Sequence, residues 1–339
     1  MKQKLVSFVL AETPGTKKGE ISELQPLQSA PQYFAASVPR QYIFEERKDF
    51  IKDREVIFVI KAYLPDVVLV EATIEVNDVF SAETFELREA LIDACHHIIK
   101  SHGGKQELAE EYSVALVSDY TGDPEQFFDK SSQIASFLKS EKLPLDEKEI
   151  EYTLSSQIKY TQDDLIIVDW DGAFIFDPRG EFEPIIELFQ IANLQLLRHR
   201  ALDSDLDIRI KKIGKFIRGQ AGKVTLLRSR ELMQAFREVI AIRSRSISEF
   251  EAMDRDIKLI GDWYSARLYD LAAKKFKLEA WKQSIKEKLD SLEDVYSIVS
   301  ENFSISRLQL LELVQIGLFF ILQVGWFVLI ILEFIYFTR

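Results

Sequence analysis

Short stretches of alternating hydrophobic and polar residues fill the first half of the chain, and this pattern predicts β-strands. The stretches are KLVSFVL near the start, EVIFVIKAY and DVVLVEATIEV joined by the turn LPD, EEYSVALVSDY, YTLSSQIKY, and LIIVDW with AFIF. Residues 1–52 are of mixed polarity after the first stretch. They are therefore predicted to form one strand followed by irregular or edge structure.

Two helices are predicted between these strands. The first starts at Ser81, a suitable N-cap, and ends at Gly103-Gly104. The second opens at Asp123-Pro124, which provide an N-cap and a first helical residue, and runs to about Lys139. The resulting order β, β, α, β, α, β, β predicts an α+β fold, with a loosely ferredoxin-like mixed sheet and helices on one face.

The second half of the chain is predicted to be helical, because all nine prolines lie at or before Pro184. From about Lys223 the apolar residues follow a heptad pattern typical of a coiled coil. The heptad positions are Phe250, Met253, Ile257, Ile260 and Tyr264, and then Ile285, Leu289, Leu292, Tyr296, Val299 and Phe303. Gly261-Asp262 lies between the two runs and favours a helical hairpin that turns there; one very long rod is the alternative.

The C-terminal stretch from Leu313 to Leu332 carries no charge in 20 residues. About 20 apolar residues at a rise of 1.5 Å span a hydrocarbon core of about 30 Å. The stretch is therefore predicted to be a transmembrane helix and a C-terminal anchor, with a buried core helix as the alternative. Within it, Gln315 and Gln323 are eight residues apart, as are Gly317 and Gly325, which predicts close helix packing in the bilayer and a homo-oligomer.

These patterns divide the chain into five predicted parts. They are an N-terminal strand and irregular segment (1–52), an α+β domain (53–180), a helix and basic segment (181–222), a helical hairpin (223–312) and a transmembrane helix (313–337).

Charge is distributed unevenly along the chain. The formal net charge is -12, which gives no strong signal for nucleic-acid binding. The segment between Asp207 and Glu231 contains eight basic residues and no acidic one: Arg209, Lys211, Lys212, Lys215, Arg218, Lys223, Arg228 and Arg230. If the hairpin folds back toward the membrane, these residues would contact anionic lipid headgroups. A solvated helix surface is the alternative.

Cysteine and histidine give no indication of a metal site or a cofactor. The single cysteine, Cys95, has no partner for an intrachain disulfide, which predicts a reducing compartment. It lies at helical spacing with Leu87, Leu91 and Ile98, which predicts a core thiol. The four histidines include no pair four residues apart that would place two ligands on one helix face. We predict neither a metal nor a cofactor.

The stretch LIIVDWDGAFIFDP, at 165–178, contains the two aspartates, Asp169 and Asp171, that haloacid dehalogenase-type phosphatases use as nucleophile and acid. That chemistry also needs further polar residues on later strands, and no strand pattern follows Pro178. The alternative is a β-hairpin that turns at Asp171-Gly172 and pairs Trp170 with Ala173. In that hairpin the two carboxylates do not converge, so no catalytic residue is predicted.

The helical half resembles the required for meiotic nuclear division family of membrane proteins. The resemblance rests on Gly261-Asp262-Trp263-Tyr264, on the run WKQSIKEKLDSLEDVYSIVSENFSISRLQLLE with Arg307-Leu308, and on the hairpin LIIVDWDGAFIF. It covers the last 180 or so residues, and the chain has Asp177-Pro178 where the family tends to have Trp-Gly. The resemblance implies a membrane-anchored, homo-oligomeric scaffold without an assigned catalytic residue.

The order of an α/β domain, long helices and a C-terminal membrane segment is also similar to that of the CorA magnesium channels. Their Gly-Met-Asn signature is absent, since the last methionine is Met253, and one span is predicted where they have two. A CorA-like divalent cation transport component is therefore the second hypothesis, and a phosphatase using Asp169 and Asp171 is a third.

The sequence as a whole predicts a non-enzymatic, single-pass membrane protein. Its α+β domain and helical stalk would lie on the cytosolic or matrix-equivalent side. It would act as a scaffold or tether through the lipid bilayer, further copies of itself and a protein partner that the sequence does not identify.

Overall fold

A computed structural model describes residues 1–14, 20–21, 41–218, 237, 240–244 and 263–337. Its centre is a sheet of nine strands. The strands are β1 (Lys2–Glu12), β2 (Glu20–Ile21), β3 (Gln41–Ile51), β4 (Arg54–Tyr63), β5 (Val67–Glu75), β6 (Ala109–Ser118), β7 (Gln157–Ile158), β8 (Leu165–Val168) and β9 (Gly172–Phe176). Their order across the sheet is β2-β3-β4-β5-β1-β6-β9-β8-β7. Among the described strands, β6 and β9 pair in parallel and the others antiparallel, so the sheet is mixed and the predicted α+β class is confirmed.

The first strand, β1, lies in the middle of this sheet. It pairs antiparallel with β5 on one side and with β6 on the other, and its residues from Leu5 to Ala11 are buried. Burial on both faces explains why KLVSFVL is almost continuously apolar. The sheet therefore extends across the boundary predicted between residues 52 and 53.

The described part of the chain includes these α-helices beside the sheet: α1 (Ala82–Ser101), α2 (Ser131–Lys139), α3 (Glu147–Leu154), α4 (Glu183–Arg218), α5 (Trp263–Lys275) and α6 (Leu278–Phe337). The helix predicted at Ser81 is confirmed as α1. The one predicted at Asp123-Pro124 begins with a 3-10 helix (Pro124–Lys130), and the Asp123 side chain accepts a hydrogen bond from Glu125 N.

The stretch YTLSSQIKY is not the strand that its alternation predicted. Its first residues belong to α3, which begins after Asp146, whose carboxylate accepts a hydrogen bond from Lys148 N. Glu147 and Glu149 in the first turn favour this helix start because they complement the helix dipole. Only Gln157–Ile158 pairs as a strand, with β8. The capping residues outweigh the alternation here.

Alternate residues of the strands enter two hydrophobic cores. The first core contains Leu5, Val9 and residues of α1 and α2, which matches the helices predicted on one face. The second core contains Val6, Phe8 and residues of α4 and α5, among them Phe189 and Tyr269. Helices therefore cover both faces, and α5, predicted to belong to the hairpin, packs on the sheet.

Residues 206–247 and 286–339 form a second compact unit, separate from the unit that holds the sheet. Within it, Lys288 Nζ lies 2.6 Å from Asp207 Oδ1, and Arg243 pairs with Asp290 at 3.2 Å and with Glu293. Arg243 belongs to the first arm of the predicted hairpin, and Asp290 and Glu293 to the second, so this contact is the one expected of a fold-back; the hairpin as a whole stays a prediction. The predicted turn at Gly261-Asp262 lies outside the described residues.

The heptad positions that the structure describes in α6 are Ile285, Leu289 and Leu292, and all three are buried. A further break separates α5 from α6 at Phe276-Lys277, where Lys277 has a φ of 51°, in the left-handed region. Tyr264, the heptad position in α5, packs against the second core. The coiled coil itself stays a prediction, because the other heptad side chains lie outside the described part of the chain.

Candidate functional site

The hairpin that carries Asp169 and Asp171 turns one residue earlier than predicted. Val168 pairs with Ala173 and Ile167 with Phe174, and Asp169 N donates to Gly172 O at 2.9 Å. The two turn residues are therefore Trp170 and Asp171, and the predicted pairing of Trp170 with Ala173 is wrong. The apolar runs on either side fit both registers, so the sequence pattern did not distinguish them.

Gly172 has a different role from the turn residue that the sequence suggested. It pairs with Ser113 in the parallel contact between β6 and β9, and its φ is not positive. A Cβ atom at this position would lie 2.7 Å from Ser113 O and 3.4 Å from the ring of Phe137. Glycine is thus required by the close approach of the two strands.

The Asp169 carboxylate is buried between two lysines from different helices. Lys139 Nζ in α2 lies 3.3 Å from Asp169 Oδ2, and Lys275 Nζ at the end of α5 lies 3.3 Å from Oδ1. Lys139 also pairs with Glu149 of α3 at 2.8 Å. Burial lowers the pKa of Lys139, but its ion pairs with Glu149 and Asp169 outweigh burial, so the pKa is raised. Asp169 is therefore an electrostatic link between the hairpin, α2 and α5.

Asp171 lies beside a buried arginine. Arg88 of α1 donates from Nη1 to Phe137 O and from Nη2 to Asp171 O, both at 2.5 Å. Burial raises the pKa of the Asp171 carboxyl, and the positive charge of Arg88 opposes this. Arg88 thus joins α1, the end of α2 and the hairpin turn.

This geometry favours the turn interpretation over a phosphatase. The carboxylate that would act as nucleophile, that of Asp169, contacts two lysine ammonium groups. In the part of the chain that the structure describes, no group of three or more His, Cys, Asp or Glu side chains could hold a metal ion. Cys95 is buried, and burial raises the pKa of its thiol, as expected for the predicted core thiol.

The apolar part of α6 is the most distinctive surface of the described chain. From Leu311 to Phe337, 27 residues form a helical stretch long and apolar enough to cross a membrane, and its side chains are exposed. Large side chains lie open along it, including Trp326 at 70% exposure. Apart from the backbone of the helix itself, no described group lies within 4 Å of the position that a Cβ would take at Gly317 or Gly325. Gln315 and Gln323 are exposed as well.

The basic segment is described only in part. Lys211 and Lys212 are exposed on α4, and Arg209 is half-buried. The helix also includes Lys215 and Arg218, whose side chains lie outside the described residues, as do Lys223, Arg228 and Arg230 entirely.

The position of Lys211 along α6 bears on the predicted lipid contact. Asp203 contacts Ser284 and Asp207 contacts Lys288, so α4 and α6 run in the same direction. Lys211 therefore lies beside residue 292, about 28 Å along α6 from Leu311 at 1.5 Å per residue. A charge loses most of its influence beyond a Debye length of about 8–10 Å. The lipid contact predicted for the basic segment stays a prediction, and it would need residues closer to Leu311 than Lys211 and Lys212 are.

A buried polar cluster under the first turns of α4 has no counterpart in the sequence-based predictions. Glu187 and Gln190 of α4 face Glu71 of β5 and Lys61 of β4, and Gln41 of β3 bonds to Gln190. The signal in the sequence is a glutamate and a glutamine three residues apart on the apolar face of IIELFQIANL. Their partners come from three distant strands, so spacing alone did not reveal them.

Comparison with known proteins gives two matches. Residues 7–183 match the family described as "Uncharacterized protein MJ0711, N-terminal domain". The uncharacterized protein MJ0711 of Methanocaldococcus jannaschii is 29% identical over 223 residues, which cover 66% of this chain and 67% of that protein. No solved structure matches the chain. The matched residues 7–183 run from β1 to the start of α4.

Proposed function

The chain belongs to the family of the MJ0711 N-terminal domain, and on that premise we propose that it is a single-span membrane protein that acts by binding, as a scaffold or tether. The sheet domain and the helical stalk would lie on the cytosolic or matrix-equivalent side. The family description names no substrate or partner, so the proposal is built on the molecule's own features.

The observation that carries the proposal is the exposed apolar helix from Leu311 to Phe337. An exposed apolar surface larger than a few hundred Å² is rare on soluble monomers and marks a membrane or protein contact. The length of this helix matches the hydrocarbon core of a bilayer, and the segment from Leu313 to Leu332 has no charge that would have to enter it. A bilayer is therefore the partner that fits best.

A binding role is supported by the hairpin site. Asp169 links helices through two lysines, and Arg88 joins α1 to the hairpin turn, so these groups stabilise the fold rather than face a substrate. The free, buried Cys95 fits a reducing compartment. The resemblance to the required for meiotic nuclear division family implies the same type of protein, a membrane-anchored scaffold.

Membrane extraction tests the anchor and separates it from the transport hypothesis. The full-length chain should stay with membranes in alkaline carbonate and be released by detergent, because an apolar span resists removal of peripheral contacts. Release by carbonate alone would contradict the anchor. The chain reconstituted in liposomes should give no Mg²⁺ flux above that of empty liposomes; specific flux would favour the CorA-like alternative.

The proposal includes a homo-oligomer held by the apolar helix. At 100° per residue, Gln315 and Gln323 lie within about 80° of each other, and Gly317 and Gly325 lie about as close together on the opposite side. Buried amides hydrogen-bond across helices in a bilayer, whereas glycines allow close backbone approach. Only one of these two faces can form a given two-helix contact.

Paired variants distinguish the two faces. We expect Gln315→Leu with Gln323→Leu to weaken self-association in lipid discs by about 1–2 kcal/mol for the lost amide contacts. Gly317→Leu with Gly325→Leu is the matched change on the opposite face and should leave the oligomer intact. Mass measurement of the discs gives the copy number. A monomeric wild-type chain would refute the oligomer, and the reverse outcome of the two variants would move the contact to the glycine face.

A further inference from the structure

The polar cluster under α4 contains two carboxylates and one cation. Lys61 Nζ lies 2.9 Å from Glu71 Oε2, and Gln190 Nε2 donates to the same oxygen at 2.5 Å. Glu187 of α4 lies close enough for the charges of Lys61 and Glu71 to change the pKa of its carboxyl. The Lys61 ammonium group therefore forms its ion pair with Glu71 and not with Glu187.

In the described part of the chain, the Glu187 carboxyl lacks the polar contacts that would compensate for its loss of water. Its Oε1 is buried and has no hydrogen-bond partner among the described residues. Burial and the charge of Glu71 raise the pKa of Glu187 to about 7, although Lys61 acts against them. A neutral carboxyl is tolerated in such a place, whereas an ionised one is costly.

Among the described residues, the other groups that face Glu187 do not supply a second positive charge. Gln41 of β3 donates through Nε2 to Tyr63 OH of β4 at 2.5 Å and to Gln190 Oε1 at 3.2 Å. Burial raises the pKa of Tyr63, so its hydroxyl stays neutral. With Lys61, Glu71, Tyr63 and the two amides around it, ionised Glu187 leaves this interface with a net negative charge.

Glu187 also lies within the apolar contacts that hold this part of α4. Ile186 on one side and Phe189 on the other belong to the second core and are buried against the sheet. Glu187 is half-buried, and solvation of its buried Oε1 is favoured when the first turns of α4 move away from β4 and β5. The same movement would expose Ile186 and Phe189, so ionisation and docking oppose each other.

We propose that Glu187 is a protonation switch that docks the first turns of α4 on the sheet when neutral and loosens them when ionised. This device acts on the sheet domain alone and does not depend on membrane anchoring. Because the folded state raises the pKa of this acid, the folded state binds more protons than the open state between the ordinary glutamate pKa of 4.5 and about 7. Docking is therefore strongest at low pH, weakens as pH rises to about 7 and is constant above it.

A hydrogen-exchange experiment on the full-length chain tests the switch. Between about pH 6 and pH 8, after correction for intrinsic exchange, the protection of amides 187–193 should fall about tenfold, as the linkage between the two pKa values requires. Glu187→Gln should abolish that fall, because the amide does not ionise. Glu183→Gln, an exposed position one turn earlier in the same helix, is the matched control and should retain it.

Glu110 is a second carboxyl beneath α4, and its titration is distinguished from that of Glu187 by the amides that each affects. Burial raises the pKa of Glu110 to about 7 against the influence of Arg200, which contacts it at 2.6 Å farther along α4. Amides near Arg200 can therefore keep a pH dependence in Glu187→Gln, whereas amides 187–193 should not.

Two outcomes would overturn the switch. They are equal protection of amides 187–193 at both pH values in the wild-type chain, and an undiminished tenfold fall in Glu187→Gln. If Glu187→Gln does not fold, Glu71→Gln takes its place. It frees Lys61 for Glu187, which lowers the pKa of Glu187, so the fall in protection should become smaller and move to lower pH. An unchanged fall in Glu71→Gln would also refute the proposal.

Discussion

Lysine at three positions in the middle of the apolar helix, Leu322→Lys, Val324→Lys and Phe327→Lys together, will release the full-length chain from the bilayer. Each lysine at the centre of a membrane helix costs about 2.5–3.5 kcal/mol. Three of them cost about 8–10 kcal/mol, which exceeds what the remaining apolar residues are expected to contribute. At 100° per residue the three positions lie at 0°, 200° and 140° around the helix, so the lysines interrupt the apolar surface and leave one apolar arc of about 160°.

Flotation of the chain with liposomes through a density gradient measures this release and separates lipid-bound protein from aggregate. The matched control carries alanine at the same three positions, which shortens the side chains without adding charge, and it should float with the wild-type chain. Flotation of the triple-lysine variant would show that the helix from Leu311 to Phe337 is not the anchor.

Phe276→Ala will destabilise the sheet domain by about 3–5 kcal/mol, the usual cost of removing a fully buried aromatic side chain. Phe276 is 0% exposed, and its ring lies 5.5 Å from that of Tyr112 and 6.0 Å from that of Trp170, both edge-on. The ring fills the space between the end of α5 and the hairpin, so its loss leaves a cavity in the second core.

Urea unfolding followed by tryptophan fluorescence measures this loss, since Trp170 contacts Phe276 directly. Trp263→Ala is the control on the same helix. Its side chain is 64% exposed and packs on Arg267, with the guanidinium 4.6 Å from the ring centroid, so its removal should cost less than about 1 kcal/mol. Equal losses for the two variants would mean that α5 does not pack on the sheet.

The local elements of this fold were largely predictable from the sequence. The helix that starts after Ser81 and the helix after Asp123-Pro124 both follow from signals within a few residues, although the Ser81 side chain makes no capping hydrogen bond. Leu289 and Leu292 are buried as the heptad pattern predicts. These features depend on neighbouring residues, which is the range over which sequence patterns carry information.

Pairing between distant elements was not predictable in the same way. KLVSFVL was predicted to be a strand, but nothing near it specifies that it lies between β5 and β6. Of α5 only Tyr264 was assigned to a heptad, and an apolar residue at such a position suits a helical partner or a sheet. The packing of Phe276 on Tyr112 depends on residues more than a hundred positions apart, so periodicity could not separate the two.

The hairpin at Asp169 shows how a local prediction fails through ambiguity. Asp171-Gly172 is a preferred turn pair, and the predicted register gave it that position. The close contact of Gly172 with Ser113 instead fixes the glycine within β9, and the turn moves to Trp170-Asp171. The constraint comes from β6, which lies far away in the sequence.

The central position of β1 has a consequence for how this domain folds. β1 joins the strands β2–β5 to the strands β6–β9, and Ser7 contacts Ser113 across a separation of 106 residues. Pairings of such long range raise the contact order, and the entropy of closing a long loop must be overcome before they form. The sheet is therefore expected to fold slowly, with the meander β3–β4–β5 assembling first and the union of the two halves through β1 as the rate-limiting event.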